Sequence, residues 1–214
     1  MKDTYRHQGL RKNLVAEIKR KGITDQAVLK AIETVPRHFF FDNAFIEFAY
    51  QDNAFPIGAG QTISQPYTVA FQTGLLQVEK GDRILEIGTG SGYQTCILLE
   101  LGARVFSVER QKLLYDKTRV LLPQLGYNPR LFYGDGYKGL PAFAPFDKIL
   151  VTCGAPEIPD ELIKQLKVGG IMVVPTGSGE VQIMKTLVKV SENQHEITDF
   201  GAFRFVPMLG EKAR

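Results

Sequence analysis

The run Ile84-Leu85-Glu86-Ile87-Gly88-Thr89-Gly90-Ser91-Gly92-Tyr93 carries an apolar segment into a glycine-dense turn, the order of residue types that builds a nucleotide-type cofactor site. Gly88, Gly90 and Gly92 permit a tight bend with no Cβ between backbone and ligand. Ser91 can cap the following helix, whose first amides attract a carboxylate or phosphate. Two more acids recur at matching places: Glu109 ends the apolar run that starts at Ala103, and Asp135 sits in Gly134-Asp135-Gly136 after Arg130–Tyr133. Each acid alone reads as a turn or cap residue. Together with Glu86 they occupy the carboxyl ends of three successive strands, where ligands bind in open parallel sheets. Upstream, Gln61-Thr62-Ile63-Ser64-Gln65-Pro66 is rich in hydroxyl and amide groups. Ser64 is expected at a helix start, as its N-cap, beside amides that attract carboxylates.

These residues need a scaffold. Strand and helix patterns alternate from Ile84 onward: further strands at 103–109, 130–133, 146–152 and 170–175, with helices ending near Gly102, over 111–122 and over 160–166. Such alternation predicts an α/β fold with a doubly wound, mostly parallel sheet covered on both faces. Before it, Leu10, Leu14, Val15 and Ile18 recur at helical spacing, and a second helix capped by Thr24 or Asp25 ends at Pro36. An N-terminal helical extension is therefore expected. Residues 37–50 are unusually aromatic and read as a bracing or lid element, with His38 structural rather than a general base. Residues 55–67 read as an ordered loop leading to a helix over 66–76. Pro123 is expected to end or kink its helix. At the other end, 182–190 and 197–206 are strand-like runs around a short turn, which predicts a C-terminal antiparallel hairpin.

Composition narrows the classes. A chain of 214 residues with 44% hydrophobic content fits one catalytic domain over 1–214, comprising a helical and loop region at 1–78, a cofactor-binding core at 79–176 and a hairpin and tail at 177–214. A net charge of +3, with the basic residues spread along the chain, disfavours a nucleic-acid partner. Two cysteines support neither a disulfide scaffold nor a multi-cysteine metal site, and no metal is expected. No run approaches membrane-spanning length, so the expected setting is soluble and cytoplasmic, without a membrane partner.

The glycine order departs from the dinucleotide fingerprint, which wants a third glycine where Tyr93 stands. With Glu109 downstream, it resembles the class I S-adenosylmethionine-dependent methyltransferases, a Rossmann-like fold. That resemblance implies that the loop meets the amino-acid end of the cofactor, Glu109 its ribose hydroxyls and Asp135 its adenine amino group. The cofactor-binding residues are thus expected to be Thr62, Glu86, Gly88, Gly90, Gly92, Glu109, Asp135 and Gly136. A narrower resemblance rests on Pro56-Ile57-Gly58-x-Gly60-Gln61-Thr62-Ile63-Ser64-Gln65-Pro66, Val108-Glu109-Arg110, Ala155-Pro156-Glu157-Ile158-Pro159 and Arg204-Phe205-Val206-Pro207. These are similar to the protein-L-isoaspartate O-methyltransferase family over nearly the whole chain. Cys153-Gly154 departs from the alanines commoner there, with no functional effect expected.

The resemblance implies methyl transfer from S-adenosyl-L-methionine to the α-carboxylate of isoaspartyl residues in damaged peptides and proteins, with S-adenosyl-L-homocysteine as product. Ser64 would be the catalytic residue that orients the carboxylate, and Ile57, Gly58, Thr62 and Val206 would contact the peptide; a monomer is expected. Two other readings remain open from the residues: a methyltransferase for a different acceptor, and a cofactor-binding module without turnover.

Overall fold

The computed structural model describes residues 2–213. Two amphipathic helices come first: α1 (Tyr5–Arg20), capped by Thr4, and α2 (Gln26–Thr34), whose Ala27 and Val28 amides donate to Asp25. The aromatic segment folds as two 3-10 turns, Arg37–Phe40 and Asn43–Phe48, and packs Phe40, Phe41 and Tyr50 into the core while Phe45 and Phe48 stay exposed.

Residues 55–63 differ from the expected loop. They form a small antiparallel hairpin, β1 (Phe55–Gly58) with β2 (Gln61–Ile63), turning through Ala59 and Gly60 at positive φ. Three paired residues leave no periodicity to read, and Pro56 is tolerated because this sheet has only edges. The helix α3 (Pro66–Leu76) follows.

The alternating half builds β3 (Arg83–Ile87), α4 (Tyr93–Glu100), β4 (Arg104–Glu109), α5 (Lys112–Gln124), β5 (Arg130–Tyr133), β6 (Phe146–Val151), α6 (Asp160–Gln165), β7 (Leu166–Thr176), β8 (Gln182–Ser191) and β9 (Gln194–Phe203). Pro123 is the penultimate residue of α5, so the helix ends beside it as expected. The sheet order is β5-β4-β3-β6-β7-β8-β9, parallel from β5 to β7 and antiparallel across β8 and β9. The chain starts in mid-sheet at β3, runs outward to β5, then crosses to β6. That reversal opens a crevice at the carboxyl ends of β3, β4 and β6.

Strand alternation assigns the two faces. Leu85, Ile87, Phe106, Ile149 and Met172 pack with Leu162 of α6, whereas Ile84, Val105, Leu150 and Val173 pack with Leu76 of α3 and Leu98 of α4. The N-terminal helices share a further core with Tyr93, Ile97, Leu114 and Leu122. Among the described residues no helix is long and apolar enough to cross a membrane.

Candidate active site

The glycine turn leaves β3 at the crevice with Gly88, Gly90 and Gly92 all at positive φ. Two of them have a steric reason as well. A Cβ on Gly88 would stand 2.5 Å from Thr152 Oγ1, and one on Gly92 would meet Thr118 and Leu122 within 3 Å. The turn is fixed from several sides: Thr152 Oγ1 donates to the Gly88 carbonyl (2.7 Å), Thr118 Oγ1 to that of Gly90 (2.8 Å), and the Gly90 amide to Glu109 Oε2 (2.8 Å). The N-cap of α4 is Gly92 rather than the expected Ser91, whose Oγ, one residue further out, accepts the Tyr93 amide at 3.2 Å.

A cavity runs over this turn. Its walls are Gln61–Ser64, Ile87–Ser91, Tyr93, Gln94, Val108–Arg110, Gly136, Thr152, Cys153 and the tail residues Val206–Leu209. Beside it lies a groove of about 680 Å³ between Lys21, Tyr67 and the strand end Ala202–Val206. Thr62, Ser64, Thr152 and Val206 border both.

Of the sequence-derived cofactor residues, Thr62, Gly88, Gly90, Glu109 and Gly136 meet at this cavity. Glu109 is 4% exposed, and its Oε1 also accepts the Gln111 amide (2.7 Å). Burial pushes its carboxyl up, while the Gln111 and Gly90 amides pull it down. Glu86 is not brought there. It sits on the α4 face of β3, fully buried, with Oε2 accepting from Thr95 Oγ1 (2.5 Å) and Ser107 Oγ (2.6 Å). The expected convergence of three acids on one crevice therefore reduces to Glu109, because Glu86 falls on the opposite alternation from the cavity-lining Ile87. Asp135 is also turned aside: its oxygens accept the Tyr137 (2.9 Å) and Glu211 (3.1 Å) amides. Gly92 lies behind the turn against α5, not on the cavity wall.

Among the expected peptide contacts, Thr62 and Val206 border the groove and Arg204 and Phe205 form its wall. Gly58 is exposed on the β1–β2 turn, and buried Ile57 abuts the glycine turn near Gly90; neither lines the groove. Ser64 is at the junction, although it is not the side-chain cap of α3. That cap is Asp52, whose Oδ1 accepts the Tyr67 amide (2.7 Å) while Oδ2 binds Gln65 (3.1 Å) and Lys21 (2.6 Å). Sequence reading missed Asp52 because its partners lie far along the chain.

His38 lies away from both cavities. Its Nδ1 faces the Tyr50 hydroxyl at 2.6 Å, its ring stacks on His7, and burial pushes it down to about 4. The nearby Asp3 is held by both terminal nitrogens of Arg11 (2.9 and 3.0 Å), so this cluster is a latch tying α1 to the aromatic segment. Cys153 lines the cofactor cavity, and burial pushes its thiol up to about 12.

The residues present suit a sulfonium nucleoside. Glu109 offers acceptor oxygens, Ile87, Val108, Met208 and Leu209 offer apolar walls, and two residues of the lining, Tyr93 and Gln94, carry buried side-chain oxygens without partners. A mostly parallel doubly wound sheet with an antiparallel β8–β9 edge, a glycine turn after its first central strand and an acid ending the next has the layout of a class I methyltransferase.

The particular family follows from comparison. The profile of the family described as Protein-L-isoaspartate(D-aspartate) O-methyltransferase matches residues 9–213, and the chain belongs to that family. Protein-L-isoaspartate O-methyltransferases from Christiangramia forsetii and Flavobacterium johnsoniae are 59% and 60% identical, each across 99% of this chain and all of its relative. A solved protein-L-isoaspartate O-methyltransferase superposes with a TM-score of 0.85 at 29% identity, covering 94% of this chain and 66% of the other. A Plasmodium falciparum structure described as an enzyme of this kind, in complex with S-adenosyl-L-homocysteine, shares the fold with a TM-score of 0.82 at 24% identity, covering 93% and 98%. The chain is an S-adenosylmethionine-dependent carboxyl O-methyltransferase acting on isoaspartyl residues of damaged proteins.

Proposed function

We propose that Ser64 is the residue that holds and orients the acceptor α-carboxylate, with Thr62 beside it, and that the peptide lies along the groove past Arg204–Val206. One observation carries this reading: Thr62, Ser64 and Val206 border both the cofactor cavity and the larger groove, so they stand where donor and acceptor must meet. When bound, S-adenosylmethionine supplies an electrophilic methyl on a sulfonium.

The acceptor carboxylate is ionised near pH 7 and needs no general base. The site's task is alignment and exclusion of water. Ser64 lines the junction, its carbonyl held by Arg37 (3.0 Å), and on this reading its hydroxyl is the group offered to the carboxylate. Glu109 and the glycine turn hold the donor, with Thr62 and Gly136 completing its walls; Glu86 supports the turn from behind, and Asp135 stands at the tail that crosses it. On this reading Ile57 and Gly58 serve the peptide through the shape of the β1–β2 turn.

The chain is read as one catalytic domain: the N-terminal region 1–78 carries the acceptor loop, 79–176 binds the cofactor, and 177–214 forms the peptide wall, residues 1 and 214 lying outside those described. Its partners are isoaspartyl peptides and proteins, met as a monomer in the cytoplasm, without nucleic acid. The modest, dispersed positive charge supports the reading without nucleic acid.

The test uses labelled S-adenosylmethionine with paired peptides differing only in aspartate or isoaspartate. Base-labile label is expected in the isoaspartyl peptide alone. Ser64→Ala should lower kcat by about tenfold or more, the cost of one lost hydrogen bond to a charged group, with cofactor affinity kept. Wild-type kcat in that variant would return Ser64 to a structural role.

A further inference from the structure

Arg37 is the largest side chain buried completely, and no salt bridge reaches it among the described residues. Its Nη1 donates to the Ala49 carbonyl (2.6 Å), and its Nη2 to the carbonyls of Asn53 (3.1 Å) and Ser64 (3.0 Å). Nε has no partner. The guanidinium lies 4.9 Å from the centroid of Phe41 and 5.5 Å from that of Tyr93, a ring on the cofactor cavity wall. Burial pushes it down only to about 10, so it remains charged at neutral pH.

Burying an unpaired cation is costly, and neutral donors could tie three carbonyls without that cost. The charged groups around the Ser64 turn show what is missing. Asp52 is committed to Lys21 and to the start of α3, and Lys21 is shared with Glu17 (2.7 Å). Asp52 favours the Arg37 cation from a distance but is shared with Lys21; no carboxylate touches the guanidinium, while the acceptor brings one to Ser64.

We propose that Arg37 is a positioning residue for methyl transfer: it ties the Ser64 backbone to Ala49 and Asn53 through one carbonyl of each and supplies a positive charge, in contact with no carboxylate of the chain, that draws the acceptor carboxylate to the junction. It acts through Ser64 and does not touch the reacting atoms, and the proposal rests on the reading of Ser64 given above. The two parts affect different constants. The charge favours the bound carboxylate, whose own charge is neutralised during transfer, so it is expressed in peptide affinity. The clamp sets the angle of attack and is expressed in kcat.

The test compares the full-length wild type with Arg37→Gln and Arg37→Lys, using S-adenosyl-L-homocysteine binding to establish folding. Binding is measured for an isoaspartyl peptide and for the same peptide with its α-carboxylate replaced by a carboxamide. Arg37→Gln should reduce the carboxylate-over-carboxamide preference by about tenfold, as loss of a charge a few ångströms away in a partly buried site implies. A merely structural role would weaken both peptides alike, and an unchanged ratio with S-adenosyl-L-homocysteine binding intact overturns the proposal. Arg37→Lys keeps the charge on one nitrogen facing three carbonyls, so kcat should fall by about tenfold with the ratio kept. Wild-type kcat in Arg37→Lys overturns the clamp even if Arg37→Gln fails to fold. Ser64→Ala, assayed alongside, separates the two readings: normal turnover there defeats the Ser64 role itself, whereas an unchanged Arg37→Gln ratio beside an impaired Ser64→Ala defeats only Arg37.

Discussion

Glu86 and Glu109 stand on neighbouring strands, and their surroundings give them different chemistry. Glu109 meets backbone amides at the cavity, whereas Glu86 meets two hydroxyls in a closed interior that pushes its carboxyl up to about 7. A carboxyl whose folded value lies above its unfolded one favours folding most in its neutral form. That contribution is complete below the unfolded value of 4.5 and is lost as pH rises through about 7. Glu86→Gln removes the titration, so its stability relative to wild type should improve by up to about 3 kcal/mol between pH 4.5 and 7.5. Denaturant midpoints at both pH values check this, and a pH-independent difference would refute it. The type and strand of Glu86 were legible in the sequence. Its partners were not, because Ser107 reaches it only through the parallel register that sets Glu86 opposite Ser107, and Thr95 only through the seat of α4.

At the scale of elements, what could be read was whatever repeats. The five parallel strands, their helices and the terminal hairpin follow from alternation and helical spacing, while the segment that carries Ser64 has neither. Its conformation is imposed from outside: Arg37 holds the Ser64 carbonyl, and Asp52 holds Gln65 and the first turn of α3. Ser64 was expected to cap that helix, and Asp52 does so instead from fourteen residues before Pro66. Asp52→Ala should therefore release the acceptor loop as well as the helix end. A lost cap and ion-pair partner at a site 7% exposed predicts about 2 kcal/mol of destabilisation. It also predicts a fall in kcat larger than any loss of cofactor affinity, since the glycine turn is anchored independently by Thr118 and Thr152. Chemical denaturation and cofactor titration on one sample measure both. Full stability in Asp52→Ala would mean that the loop is held by Arg37 alone.

Across the whole molecule, the tail beyond β9 joins the two halves of the site. The Gly154 amide donates to the Val206 carbonyl (2.8 Å) and the Met208 amide to the Gly154 carbonyl (2.7 Å), pinning the tail beside β6. Farther on, Glu211 donates to Asp135, Arg110 to the Gly210 and Glu211 carbonyls, and Tyr133 to the Ala213 carbonyl. Met208 and Leu209 thereby roof the cofactor cavity, while Arg204–Val206 wall the peptide groove. The cavity beneath Met208 and Leu209, open on one side, measures about 70 Å³, below the roughly 300 Å³ at which sites for small ligands begin. An outward movement of the outer tail is the motion that would widen it for a nucleoside. The Arg110 bonds are exposed and individually weak, whereas the inner pair at Gly154 includes the buried Met208 and can serve as the hinge. Hydrogen exchange should then show the Glu211 and Ala213 amides opening readily in the free protein and becoming protected with S-adenosyl-L-homocysteine, with Met208 protected throughout. Truncation after Met208 should leave the fold intact and speed cofactor release by about tenfold or more, the loss expected from about 1.4 kcal/mol of covering contacts. If release is unchanged and Glu211 exchanges equally with and without ligand, the tail is a fixed wall and the cofactor reaches its site through the peptide groove.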